Sequence, residues 1–100
     1  MGTQRFLNKS ALIEAVQFTG ANLEDIEEFI EFTNIKSATI INNVLYIIAQ
    51  VYGEVEFERW SILPNDYLIK DASGYVTQMD EHIILKHWHP LNQNFLIPKD

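Results

Sequence analysis

The chain has 100 residues, 47% of them apolar and 21% charged, which is the size and composition of one globular domain and not of a disordered segment. It contains no cysteine, so a disulfide scaffold, a thiolate metal site and a cysteine nucleophile are all excluded. Fourteen acidic residues against seven basic ones give a net charge of −7, and the bases are scattered from Arg5 to Lys99, which argues against direct nucleic-acid binding and for a basic partner.

The first ten residues read as a polar lead-in without a signal peptide, because Glu14 interrupts the apolar stretch that follows Arg5 and Lys9. Ala11 to Phe18 is apolar on both faces and predicts a strand inside a sheet, with Glu14 at one end or paired. Thr19-Gly20 breaks it. Asn22 then reads as the N-cap of a helix over about 23–33, with Leu23, Ile26, Phe29, Ile30 and Thr33 as its buried stripe and Asn34 as its terminator. Glu24, Asp25, Glu27 and Glu28 suit the positive end of that helix.

From Ser37 onward the pattern is that of strands. Ala38 to Ile41 and Val44 to Gln50 flank Asn42-Asn43, a dipeptide suited to a two-residue hairpin. Gly53 marks another turn. Glu54 to Trp60 alternates, with Glu54, Glu56 and Glu58 on one face and Val55 and Phe57 on the other. Pro64-Asn65 turns into a strand over Asp66 to Lys70, in which Tyr67 and Ile69 share one face and Leu68 and Lys70 the other. Asp71 to Gly74 turns back into Tyr75 to Gln78. Asp80 caps a short helix over about 81–88 that buries Ile84 and Trp88. The tail over 91–100, with Phe95 to Ile97, is either loose or docked on a partner. These elements predict a single α+β domain over residues 1–100, with a mainly antiparallel sheet of about five to six short strands and two helices. The longest apolar run, Val44 to Ala49, falls far short of the ~20 residues of a membrane span, so a soluble, cytoplasmic protein is expected.

Two stretches resemble a family of small phage and prophage proteins. Glu14-Ala15-Val16-Gln17-Phe18-Thr19-Gly20, followed by Asn22 and an acidic helix, is similar to that family's opening. Pro64-Asn65-Asp66-Tyr67-Leu68-Ile69-Lys70, followed by Gly74, is similar to its second signature. Asn65 and Asp71 stand where the family pattern has glycine, and both residue types tolerate left-handed backbone better than most. Met79 stands where the family often has cysteine. The resemblance implies a phage-encoded accessory protein acting in a host cell. It supplies no active site to carry over.

Catalytic chemistry has little to stand on in the sequence. Ser10, Ser37, Ser61 and Ser73 lie in no nucleophile-elbow context, and there is no Gly-rich phosphate loop. His82, His87 and His89 cluster near Asp80 and Glu81, but His82 and His87 are not at the spacing that aligns ligands on a helix. If the chain extends at His87-Trp88-His89, those two rings share a face. Histidines at a helix C-terminus more simply complement its dipole. No enzyme activity, cofactor or metal is expected.

The remaining signal is acidic surface. Glu24/Glu28 and Glu27/Glu31 are like-charged pairs one helical turn apart, and Glu54, Glu56 and Glu58 form a carboxylate row at about 6.6–6.8 Å spacing. Repelling charges kept together fit a basic protein surface, with Trp60 either an anchor at the end of the row or part of the core. The expected function is a non-enzymatic protein that binds and inhibits or redirects a host protein, such as a defence system. A binder of a small nucleotide-like signal and a virion or assembly component are the alternatives. An uncovered sheet edge and the apolar tail also make a homodimer an open expectation.

Overall fold

A computed structural model describes residues 13–50, 57–90 and 94–99. The expectations for residues 1–12, Gly53, Glu54 and Glu56 lie outside them. Ten elements follow in chain order: β1 (Ile13–Gln17), α1 (Leu23–Ile30), β2 (Ile35–Ile41), β3 (Val44–Gln50), β4 (Phe57–Ile62), β5 (Tyr67–Lys70), β6 (Val76–Met79), α2 (Glu81–His87), β7 (Trp88–Pro90) and β8 (Phe95–Pro98). The class is α+β, with two helices and antiparallel pairing throughout among the described residues. The single sheet expected from the sequence is replaced by two, a five-stranded one in the order β6-β5-β1-β8-β7 and a three-stranded one in the order β2-β3-β4.

The central place predicted for the first strand is correct. β1 lies in the middle of the five-stranded sheet, with Val16 opposite Leu68 of β5 and Ile13 opposite Leu96 of β8. Its two apolar faces serve two separate cores. On one side Ala15, Tyr67 and Leu96 pack with Ile84 of α2, joined by Ile69, Met79 and Trp88. On the other, Val16, Phe18, Leu68 and Val76 share a larger cluster with Ile26 and Phe29 of α1 and with Leu45, Ile47, Ala49 and Ile62 of the three-stranded sheet. Full burial of a branched or aromatic side chain contributes about 1.5–3 kcal/mol, so this double use of β1 joins all the layers.

The C-terminal segment is neither loose nor turned outward where it is described. Phe95–Pro98 enters the sheet as β8 between β1 and β7, and Leu96 is buried. That removes the tail as an argument for a homodimer. α2 ends one residue earlier than expected, because Trp88 takes extended backbone and begins β7.

The turns follow residue chemistry closely. Asn42 and Asn43 both have positive φ (52° and 64°), the geometry of a two-residue hairpin whose twist matches its strands. Asn65 has φ 82°, so it takes over the left-handed role of the glycine in the resembling pattern. Asp71 does not. Its carboxylate instead accepts from the Ser73 hydroxyl (2.6 Å) and from the Ser73 and Tyr75 amides, and these bonds hold its pKa below the ordinary value. Gly20 (φ 103°) is also buried, and a Cβ there would lie 3.7 Å from Pro64. The Asp66 carboxylate reaches across the fold, accepting from the Glu81 amide at 2.9 Å, while the Asp66 amide closes its own turn on the Leu63 carbonyl at 3.1 Å.

α1 departs most from expectation. It ends at Ile30, three residues short, because Glu31 is extended (ψ 132°) and Phe32 is left-handed (φ 62°). Asn22 sits at the N-cap position without capping. Its side chain turns back to the loop, accepting from the Thr19 amide and donating to the Gln17 carbonyl, both at 2.8 Å. Asn34 is not a helix terminator but a bridge between sheets. Its side-chain oxygen accepts from the Val76 amide (2.6 Å) and its nitrogen donates to the carbonyls of Val76 (3.1 Å) and Gln50 (3.3 Å). The side-chain amide thereby stands in for a missing neighbour strand along the β6 edge.

Candidate binding surface

Because β2, β3 and β4 pair in antiparallel register, alternate residues face opposite ways. Ala49 lies opposite both Ile35 and Glu58, and Ile47 lies opposite Trp60. Ile35, Ile47, Ala49 and Ile62 are buried, so Glu58 and Trp60 belong to the core-facing row of β4. Phe57, Arg59 and Ser61 face outward instead, and Phe57 is 51% exposed. Glu58 and Trp60 thus share one face and Phe57 lies on the other, as alternation predicts, but the face of Glu58 and Trp60 is the one that turns toward the core. Within Phe57–Ile62 burial alternates only from Trp60 onward, and Glu58 precedes that point. Trp60 is half-buried against the core, and its indole N–H donates to Glu58 Oε1 at 3.1 Å. Glu58 itself reaches solvent at the strand's end.

The acids of α1 separate into two groups. Glu24 and Glu27 are exposed, and Glu31 is exposed just beyond the last turn. Asp25 and Glu28 border a cleft of about 680 Å³ between α1 and the sheet, which Glu14, Val16, Gln17, Phe29, Lys70 and Phe95 also line. Glu14 is paired rather than merely terminal. It lies opposite Lys70 in the β1–β5 register, with 3.9 Å between ammonium and carboxylate, and its side chain is 44% exposed. The Lys70 ammonium also sits 4.4 Å above the centre of the Phe29 ring, a cation–π contact. Among the described residues this is the one ion pair, so no described base neutralises the acids of α1. Nothing in the sequence brought Glu14, Asp25, Phe29 and Phe95 together, because they come from three elements whose only link is tertiary.

Just beyond the helix end lies a residue that the sequence reading did not single out. Phe32 is 97% exposed, so its ring contributes no burial to the fold. Left-handed backbone at a non-glycine residue costs roughly 1–2 kcal/mol. The turn is nevertheless fastened on every side. The Thr33 amide and hydroxyl both donate to the Ile30 carbonyl (3.2 and 2.5 Å), and the Thr33 hydroxyl accepts from the Ile35 amide (3.2 Å). The Asn34 carbonyl accepts from the Gln50 amide (2.8 Å), beside the side-chain bridge described above.

The histidines are spread over two elements. His82 and His87 lie at the two ends of α2 and His89 in β7, all exposed. Asp80 caps α2 as expected, accepting from the His82 amide at 2.7 Å, and His87 sits at the negative end of the dipole with its ring edge-on to Trp88 at 5.9 Å. Among the described residues no group of three or more His, Asp or Glu side chains is placed to hold a metal ion, and no helix is long and apolar enough to cross a membrane. Compared with protein-family models, curated proteins and solved structures, the chain matches none.

Proposed function

We propose that this is a non-enzymatic binding protein that occupies a basic surface on another protein. The observation that carries the reading is the exposed acid stripe Glu24, Glu27, Glu28 and Glu31 along α1, which pairs with no base among the described residues. Like charges held one turn apart weaken the helix slightly, and a cationic partner converts that cost into attraction and faster encounter. The resemblance of the opening and of the Pro64–Lys70 segment to phage and prophage proteins supports a host protein as the partner, inhibited or redirected by occupation of its surface.

Affinity capture with the purified protein tests this, run beside a variant carrying Lys at positions 24, 27, 28 and 31. The expected result is a partner with a basic surface, identified by mass spectrometry, that the variant fails to retain and that salt releases. Equal retention by both baits, or retention of no protein, ends the reading.

The cleft favours one feature of the small-ligand alternative. With Glu14, Asp25 and Glu28 around it and Lys70 already engaged by Glu14 and Phe29, it repels a nucleotide-like anion and suits a small organic cation. Titration with a nucleotide and with a polyamine separates these two ligand chemistries.

A further inference from the structure

Phe32 combines a strained backbone, complete exposure and a rigid mount, and nothing within the chain gains from the combination. Glycine or asparagine is the ordinary occupant of such a left-handed turn. A rigid, exposed aromatic costs little further ordering when it binds, which is the character of an interface hot spot. Its surroundings define what it fits. Glu31 precedes it, and Glu27 and Glu28 lie in the last turn of the helix that leads to it. The register sets the start of β2, the end of β3 and the start of β4 at one end of the three-stranded sheet, where Gln50 faces Phe57 and Ala49 faces Glu58. Phe32 leads into that end, which also carries the exposed Phe57 on one face of β4 and Glu58 on the other, with Lys36 the nearest base to Phe32 along the chain.

We propose that Phe32 is the anchor of the acidic docking surface, inserting into an apolar pocket rimmed by Lys and Arg on a partner protein. The proposal rests on the basic-partner reading above and adds the residue on which binding turns. A second copy of this chain fits poorly, since it brings its own carboxylates against Glu31 and Glu58.

A random dodecapeptide display library, panned on the wild-type protein, provides the probe. Enriched peptides are expected to combine Lys or Arg with a large apolar residue. One is then synthesised and titrated against wild type, Phe32→Asn, Phe32→Leu and the double variant Glu27→Lys/Glu31→Lys. Phe32→Asn is expected to keep or raise the melting temperature, because Asn tolerates the left-handed turn, while binding at least about thirtyfold more weakly. Phe32→Leu should lose less affinity. The double variant should lose affinity together with most of its salt dependence. Basic peptides that bind wild type and Phe32→Asn equally overturn the anchor and leave the acidic-surface reading standing. Failure to enrich basic peptides overturns both. Self-association of the wild type that Phe32→Asn abolishes, or sedimentation with phosphatidylcholine vesicles that it abolishes, overturns the stated partner and assigns the ring to a second copy or a bilayer.

Discussion

The two helices differ in how far they obey local rules. α2 has a carboxylate cap at Asp80, an acid in its first turn at Glu81 and basic residues in its last turn at Lys86 and His87. Its last turns are tied to the C-terminal strand, where the Lys99 amide donates to the His87 carbonyl (2.8 Å) and the Lys99 ammonium to the Leu85 carbonyl. Each of these features favours the helix. α1 has no side-chain cap and no base in its last turn, places Glu31 at its negative end, and runs into the left-handed Phe32. Departures from local preference gather where function makes other demands on a sequence. The contrast teaches that local chemistry favours α2 throughout, whereas α1 keeps charges and a turn that cost it stability, as the proposed docking surface requires.

That contrast can be broken first at the cores, where the largest effects lie. Ile84 and Ile26 are both fully buried, one in each cluster. Truncation of either to Ala should cost about 2–5 kcal/mol in chemical denaturation. If the layers are joined through β1, both variants should unfold in a single transition. Separate transitions would show that the two clusters melt independently.

The caps sharpen it at an intermediate scale. Asp80→Ala should cost about 1 kcal/mol and speed hydrogen exchange at the His82 amide, which loses its acceptor. Asn22→Ala should cost a similar amount through its two loop bonds, yet leave exchange at the first amides of α1 unchanged. Faster exchange at those amides would show that Asn22 caps α1 after all.

The smallest expected effect comes from charge. Glu31→Lys removes a like-charge neighbour of Glu27 and places a cation at the helix C-terminus, so it should stabilise by about 0.2–0.5 kcal/mol at low salt. The gain should fade as salt rises. The mirror change, Lys86→Glu in α2, should destabilise by a similar amount. A destabilising Glu31→Lys would remove the argument that the acid stripe is kept at the expense of the helix.

Features that depend on a few neighbouring residues were legible in the amino-acid sequence. The Asn42-Asn43 hairpin, the Asp80 cap, the two-sided apolar character of β1 and the face assignment of Tyr67 to Lys70 all follow from φ preference or short periodicity. The acids of α1 were equally visible as exposed charge. The division into two sheets, the insertion of β8 between β1 and β7, the Asn34 bridge and the cleft beside Glu14 and Lys70 were decided by tertiary structure alone. Each joins residues far apart in the chain, and periodicity within a segment is indifferent to which segment it will meet. Phe32 belongs to the same class. It lies inside the predicted helix span but outside its buried stripe, and only the folded chain shows the helix ending at Ile30, the left-handed turn at Phe32 and Asn34 beyond it bonded to Gln50 and Val76.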